Sequence, residues 1–212
     1  MTTTEIITLF ELVVDDITEL STSEETALAN RIYNRVCLSK VWEFLKTSAT
    51  GTMSSDATSS YITIPSDFAF FVENNQYTDN SIGINNNASP KVIFIGTAHT
   101  PYQIINFSDR RQYLNQRGYA YLDVANSKIR FTATPESTTY EFDYAKVPTA
   151  LTSGTSPLFP SRFHEMISYG MASENDVLQL SDKAKSYRQE NEAIFNSYLQ
   201  DMKYWDSMLQ LN

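Results

Sequence analysis

Apolar residues recur at helical spacing near the beginning of the chain. Ile6, Leu9, Phe10 and Val13 follow one another at intervals of three or fewer residues. Such a spacing gathers them on one side of a helix, so it predicts a short amphipathic helix over residues 5–14.

A second helix is predicted to begin at Thr22. The run from Thr22 to Glu25 has the pattern of a capping box, in which a hydroxyl residue and a Glu three positions later satisfy free N–H groups at a helix start. The apolar stripe of this helix contains Leu28, Ile32, Val36 and Cys37, and Trp42 and Phe44 follow it.

From about residue 47 the polar and apolar positions alternate, which is typical of strands. The predicted strands are Lys46–Met53, Tyr61–Ile64, Lys91–Gly96, Tyr102–Phe107, Tyr119–Val124, Lys128–Thr134 and Thr139–Lys146. We interpret the first two as a pair around a turn rich in Ser, Asp and Thr, and the last three as a meander. A short helix over Asp109–Gln116, stopped at Gly118, interrupts them, and the Asn-rich stretch Asn74–Ser89 is predicted to be a mobile loop.

Helical spacing returns after residues 147–160, which are predicted to be a linker. Ser161 is predicted to cap a helix that runs to about Leu180, and a last helix is predicted from Ser181 to about Leu209. One face of the last helix carries Phe195, Leu199, Met202, Trp205 and Leu209. We predict that this face makes a main contact with a neighbouring subunit or ring, and the alternative is that it packs on the second helix.

Together these elements predict an α+β fold, a helical bundle built from both chain ends with a central antiparallel β-rich insertion. The predicted domains are residues 1–46 for the N-terminal helices, 47–156 for the β-rich lobe and 157–212 for the C-terminal helices.

The charge balance argues against a protein that grips nucleic acid. The 212 residues include 16 Lys and Arg but 25 Asp and Glu, a net charge of −9, whereas gripping DNA requires a basic excess that displaces phosphate counterions. The beginning of the chain contains Glu5 and Glu11 and lacks the basic start of a signal peptide. We therefore expect a protein that stays in a reducing cytosol and enters no membrane.

Catalytic and metal-binding motifs fail their spacing tests. His164 and Glu165 begin like a zinc-protease motif, but Ser168 stands where the second His is required. Cys37, the single cysteine, lies in a predicted helix, and His99 lies in a predicted loop. We expect no catalytic residue, no metal ligand and no cofactor, although carboxylates dispersed along the sequence leave an enzyme as a disfavoured alternative.

One basic cluster stands out from the acidic background. Arg110, Arg111 and Arg117 lie close in sequence, and Lys128 and Arg130 follow them. These residues are candidate contacts for DNA or for an acidic partner, and the alternative is a solvated face with local ion pairs.

Two segments resemble the head-to-tail adaptor (neck connector) proteins of tailed bacteriophages. The run W-E-F-L-K at 42–46 leads into I-P-S-D-F at 64–68, and L-F-P-S-R-F-H-E-M-I-S-Y-G follows at 158–170. The resemblance covers roughly residues 5–67 and 157–205. It implies a non-enzymatic ring, usually of twelve copies, that docks to the portal protein and a downstream neck or tail protein while genomic DNA passes through its lumen. It also implies a place in the virion neck, with assembly in the host cytoplasm.

The resemblance assigns structural roles to particular residues. Trp42 and Phe44 would close the N-terminal helices over the core, and Pro65 and Asp67 would form a corner where a strand returns to the bundle. Further along, Pro160 and Phe163 would start the long helix, and Gly170 would allow close helix packing.

Two other classes of protein stay open. One is a different neck or tail-completion protein, such as a stopper. The other is a module in which the β lobe binds a carbohydrate or peptide, with Tyr119, Tyr121 and Tyr140–Tyr144 as its platform.

Overall fold

The helices come from the two ends of the chain and the strands from its middle. The computed structural model describes residues 1–14, 20–56, 59–72, 91–174 and 182–209, with side chains in the last segment from residue 186. The chain divides into a helical unit, Met1–Leu45 with Pro148–Asn212, and a sheet unit, Lys46–Val147. The predicted α+β class is confirmed, while the domain boundaries drawn from the sequence stay a prediction.

In the helical unit, the described residues form four α-helices. They are α1 Thr3–Val14, α2 Thr22–Cys37, α3 Glu165–Glu174 and α4 Asp182–Leu209. Packing centres on α3, which contacts α1, α2 and α4. The shared core includes Ile6, Phe10, Ile32, Tyr33, Val36, Trp42, Phe159, Met166, Ile167, Phe195 and Met202.

The first two helices follow the predicted periodicity with small shifts. In α1, Ile7 is buried together with Ile6 and Phe10. The capping box of α2 lies one residue earlier than predicted, because Ser21 is the N-cap and its backbone N–H donates to Glu24 Oε2 at 2.8 Å. Glu25 is instead buried, and that burial, with Glu11 nearby, raises the pKa of its carboxyl.

The helix predicted from Ser161 begins later. Ser161–Phe163 forms a 3₁₀ turn after Pro160, and α3 begins at Glu165. The predicted end at Leu180 and the predicted start at Ser181 lie outside the described residues. The linker before this turn is partly buried. It is also tied to α2, because the Leu151 backbone N–H donates to Asn30 Oδ1 at 2.7 Å.

Gly170 marks the closest approach of α3 to its neighbours. A Cβ atom at this position would lie 2.6 Å from Ile32 Cγ2 on α2 and 3.0 Å from Phe195 Cδ2 on α4. Real Cβ atoms essentially never come within 3.0 Å of another heavy atom, so a glycine is required for this spacing.

The sheet unit contains nine strands among the described residues. They are β1 Lys46–Thr52, β2 Ser54–Ser55, β3 Ser60–Thr63, β4 Phe68–Phe71, β5 Val92–Ile95, β6 Thr100–Ile105, β7 Tyr119–Asp123, β8 Lys128–Phe131 and β9 Thr139–Lys146. Their order is β1-β9-β5-β6-β7-β8-β3-β2, and β4 also pairs with β9.

Strand pairing differs from the prediction in three places. β1 pairs with β9, from Lys46 opposite Ala145 to Thr52 opposite Thr139, and not with β3. The predicted meander ends at β8, whose second neighbour is β3. β6 and β7 run parallel, so the sheet is mixed and not antiparallel throughout; residues 106–118 supply the crossover that a parallel pair needs.

The two ends of the strand order are joined by the chain. β1 and β2 stand at opposite ends of the strand order, yet only Met53 separates them in the sequence. Residues so close along the chain lie within about 7 Å, so the two ends of the sheet meet. The enclosed core contains Ile62, Phe71, Ile93, Ile95, Tyr102, Ala120, Ile129, Phe131, Phe142 and Tyr144.

Two predicted features of the sheet unit take another form. The helix predicted over Asp109–Gln116 is a 3₁₀ turn over Phe107–Arg111 that buries no residue, since the segment has no apolar stripe.

Asp67 lies between β3 and β4, where it accepts hydrogen bonds from the Tyr144 hydroxyl (2.8 Å) and the Val147 N–H (2.6 Å). The corner at Pro65–Asp67 thus joins two strands of the sheet unit. The predicted loop Asn74–Ser89 lies outside the described residues.

Replacing Gly170 by Ala is expected to destabilise the protein by about 1–3 kcal/mol, because the added methyl forces Ile32 and Phe195 apart. Urea unfolding followed by circular dichroism measures the change. Gly154→Ala is the matched control, since a Cβ there meets no atom within 4 Å. Equal effects of the two variants would show that the packing at Gly170 is not tight.

Candidate interaction surfaces

The apolar face predicted on the last helix is largely core. Phe195 and Met202 are fully buried in the helical unit, and Leu199 and Trp205 pack against the same core. Leu209 is 44% exposed. While α4 stays packed, Phe195 and Met202 already have partners within their own chain, and the interface role of this face stays a prediction.

A buried carboxylate holds the end of α4. The Asp206 side chain is fully buried, with one oxygen 2.7 Å from Lys40 Nζ and the other accepting the Glu43 backbone N–H at 2.9 Å. The Lys40 ammonium also lies 5.2 Å from the centre of the Trp42 ring. Asp206 thus joins the last turns of α4 to the segment that leads out of α2.

The solvent side of α4 carries a regular strip of exposed residues. Its members alternate at intervals of three and four residues, so they share one side of the helix. We call them the α4 strip: Tyr187, Glu190, Ile194, Ser197, Asp201, Tyr204 and Met208. The strip contains two acidic and no basic side chains. Its apolar members are exposed to solvent and do not belong to the core.

The predicted arginine cluster divides in the structure. Arg110 and Arg117 line one concave groove, which also contains Arg130 and which we call the arginine groove. Arg111 is exposed and does not line it. The Arg110 guanidinium lies 3.7 Å from the centre of the Phe107 ring and donates to the Phe107 carbonyl. Arg117 Nη1 lies 2.6 Å from Glu136 Oε1, and both side chains are about two-thirds exposed.

The basic side chains on β8 form ion pairs with acidic side chains of the sheet unit. Arg130 contacts Asp56 and Asp123 at 3.0 Å each, and Lys128 contacts Asp56 at 2.9 Å. Hydrogen bonds from Asn126 and Arg130 lower the pKa of the Asp123 carboxyl. These ion pairs are local to the sheet unit, and the contact role of the basic cluster stays a prediction.

The tyrosines proposed as a binding platform do not form one surface. Tyr144 is buried in the sheet core, while Tyr121 lines the arginine groove. Tyr119 packs against Tyr113 with ring centres 4.3 Å apart. Of these tyrosines, Tyr121 lines that groove, whereas Tyr144 belongs to the core.

The structure places the three candidate reactive residues, Cys37, His164 and His99, as follows. Cys37 is buried, and its burial raises the pKa of the thiol to about 12, so the nucleophilic thiolate is disfavoured. His164 is also buried, with Nε2 2.8 Å from the Phe159 carbonyl oxygen and Nδ1 2.9 Å from the Met1 ammonium nitrogen. His99 occupies a left-handed turn position with its ring largely exposed.

Among the described residues, no group of three or more His, Cys, Asp or Glu side chains is arranged to hold a metal ion. None of the described helices combines the length and the apolar character that crossing a membrane demands.

Sequence reasoning missed Asp206 and the α4 strip. An acidic residue near a helix end is usually solvated, so nothing in the sequence marks Asp206 as buried. The strip could have been predicted from the sequence, because its residues recur at intervals of three and four once the more apolar face of α4 is assigned to the core.

Residues 1–210 match the family described as SU10 adaptor protein, so the chain belongs to this family of phage adaptors. The resemblance to head-to-tail adaptors is thereby confirmed, and the family has a structural role in the virion. None of the curated proteins matches the chain.

Replacing Asp206 by Asn is expected to destabilise the protein by about 1–3 kcal/mol, because the Lys40 ammonium loses the buried carboxylate opposite it. Arg117→Gln removes one charge from an exposed ion pair and is the matched control, with an expected loss below about 1 kcal/mol. Chemical denaturation at neutral pH compares the two. Similar losses would mean that burial adds nothing to the Asp206 contact.

Acidification is expected to weaken the fold through His164. Burial lowers the pKa of this imidazole below its ordinary value of 6.5, so the unfolded chain binds the proton first. The stabilising contribution is complete above pH 6.5 and is lost as the pH falls through the lowered folded-state pKa, with a slope of at most about 1.4 kcal/mol per pH unit.

Unfolding free energies measured between pH 7 and pH 5 test this slope, and His164→Gln should flatten it. His99→Gln, which removes an exposed ring, is the control. An unchanged slope in His164→Gln would contradict the assignment.

Proposed function

We propose that this protein forms a homo-oligomeric ring, of twelve copies as in most head-to-tail adaptors, that docks to the portal protein. The ring would join the capsid to a downstream neck or tail protein, in the neck of the virion, after assembly in the host cytoplasm. The family match over residues 1–210 is the observation that carries this proposal.

The organisation of the chain supports a bundle scaffold built from both ends. Ser168 on α3 donates its hydroxyl to the Ile6 carbonyl on α1 at 2.7 Å. Glu174 on α3 pairs with Arg31 and Arg35 on α2 at 2.9 and 2.6 Å. Contacts between residues so distant in sequence fit a helical scaffold into which the sheet unit is inserted.

The charge distribution supports passage of DNA through such a ring. The helical unit has 16 acidic and 8 basic residues, a net charge of −8, while the sheet unit has 9 and 8, a net charge of −1. An acidic lumen repels the phosphate backbone, so a duplex would slide without binding. We therefore place the helical unit, and not the arginines of the sheet unit, nearest the DNA.

Loss of this protein in the phage is expected to leave DNA-filled heads without tails, since the portal would lack the surface that receives the tail. Electron microscopy of particles from a null mutant shows this directly. Complementation with the intact gene is the control. Tailed, infectious particles in the absence of the protein would contradict the proposal.

Stoichiometry separates the proposal from its alternatives. Native mass spectrometry of the protein mixed with its portal ring is expected to give twelve adaptor copies per ring. Six copies would favour a stopper or another tail-completion protein. A monomer that ignores the portal and binds a sugar or peptide saturably would favour a binding module.

A further inference from the structure

The arginine groove is a concave site on the sheet unit. It has a volume of about 740 Å³ and lies between the 3₁₀ turn, the residues before β7 and the end of β8. Its lining includes cationic and apolar side chains, among them Arg110, Arg117, Phe107, Leu114 and Tyr121, and one acid, Asp123, which is paired with Arg130. Phe107 and Leu114 are 49% and 65% exposed.

Two of its three guanidinium groups are suited to receive a ligand. Arg130 is held by Asp56 and Asp123 and forms part of the wall. Arg110 contacts one carbonyl oxygen, whereas a guanidinium has five N–H donors. The ion pair of Arg117 with Glu136 is exposed, and exposed ion pairs contribute little to stability, so Arg117 can exchange this partner for another carboxylate.

The chemistry of the groove favours a carboxylate next to an apolar side chain. Guanidinium groups bind carboxylates in a planar, two-pronged geometry, and aromatic walls supply apolar contact area. A duplex is a poorer occupant, because the sheet unit has a net charge of −1 and so lacks the basic excess that gripping DNA requires.

The α4 strip presents that combination on a second part of the same chain. Glu190 and Asp201 alternate along it with Tyr187, Ile194 and Tyr204, and all of them are exposed. Tyr204 is 70% exposed, which is unusual for an aromatic side chain on a helix whose other face is core.

We propose that the arginine groove of one copy receives the α4 strip of a neighbouring copy. The contact rests on the proposed ring, because a closed ring of identical subunits requires two different surfaces on each copy that fit one another. Arg110 and Arg117 bind Glu190 or Asp201 of the neighbour, while Leu114 and Tyr121 pack against its exposed tyrosines and isoleucine.

Reversing the charges of the arginine groove and of the α4 strip, separately and together, tests this pairing. Arg110→Glu with Arg117→Glu, and separately Glu190→Arg with Asp201→Arg, are each expected to reduce the adaptor copies per purified particle by about tenfold, because like charges then face each other. All four changes together should restore most of the incorporation. Glu192→Arg, an exposed reversal on the other side of α4, is the control and should incorporate normally.

A photocrosslink identifies the occupant. Leu114 is replaced by p-benzoylphenylalanine, assembled particles are irradiated, and the joined peptides are identified by mass spectrometry. A link to residues 187–208 of another copy is expected. Val124, also exposed on the sheet unit but outside the groove, carries the same probe as a control.

A link from position 114 to the portal, to another virion protein or to DNA would overturn the inference, and so would the absence of any link. In each of those cases, particles that still contain twelve copies at the portal would leave the proposed function intact. Failure of restoration by the four combined changes, with each variant folded by circular dichroism, would also overturn it.

Discussion

The helical unit depends on the close approach of α3 to the helices around it. Because Gly170 has no side chain, Ile32 of α2 and Phe195 of α4 come together over its backbone. This contact links residues that are more than a hundred positions apart, and it allows the first and last segments of the chain to share one core. Trp42, Phe159 and Met166 are buried in that same core.

The sequence predicted which elements exist better than it predicted how they meet. The helices α1 and α2 and every strand from β5 to β9 were expected within a few residues, because their polar and apolar periodicities are regular. Strand partners were not predictable in the same way. The pairing of β1 with β9, and the parallel pair β6 and β7, depend on contacts between distant residues that no local pattern encodes.

The candidate surfaces show the same limit. Periodicity identified the apolar face of α4, but it could not tell whether this chain or a neighbour covers Phe195 and Met202. The burial of Asp206 depends on Lys40 and Glu43, which lie more than 160 residues away. Arg110 and Arg117 were recognised as a cluster, and the fold adds the aromatic walls that make the cluster a groove.

The first and last strands of the sheet unit are direct partners, with Lys46 opposite Ala145. The chain therefore enters and leaves this unit through neighbouring backbone positions, about 5 Å apart as paired strands are. Because these two positions are adjacent, a short segment of chain would be enough to join the two parts of the helical unit directly. An engineer could therefore replace the sheet unit by a foreign domain whose own ends lie equally close together.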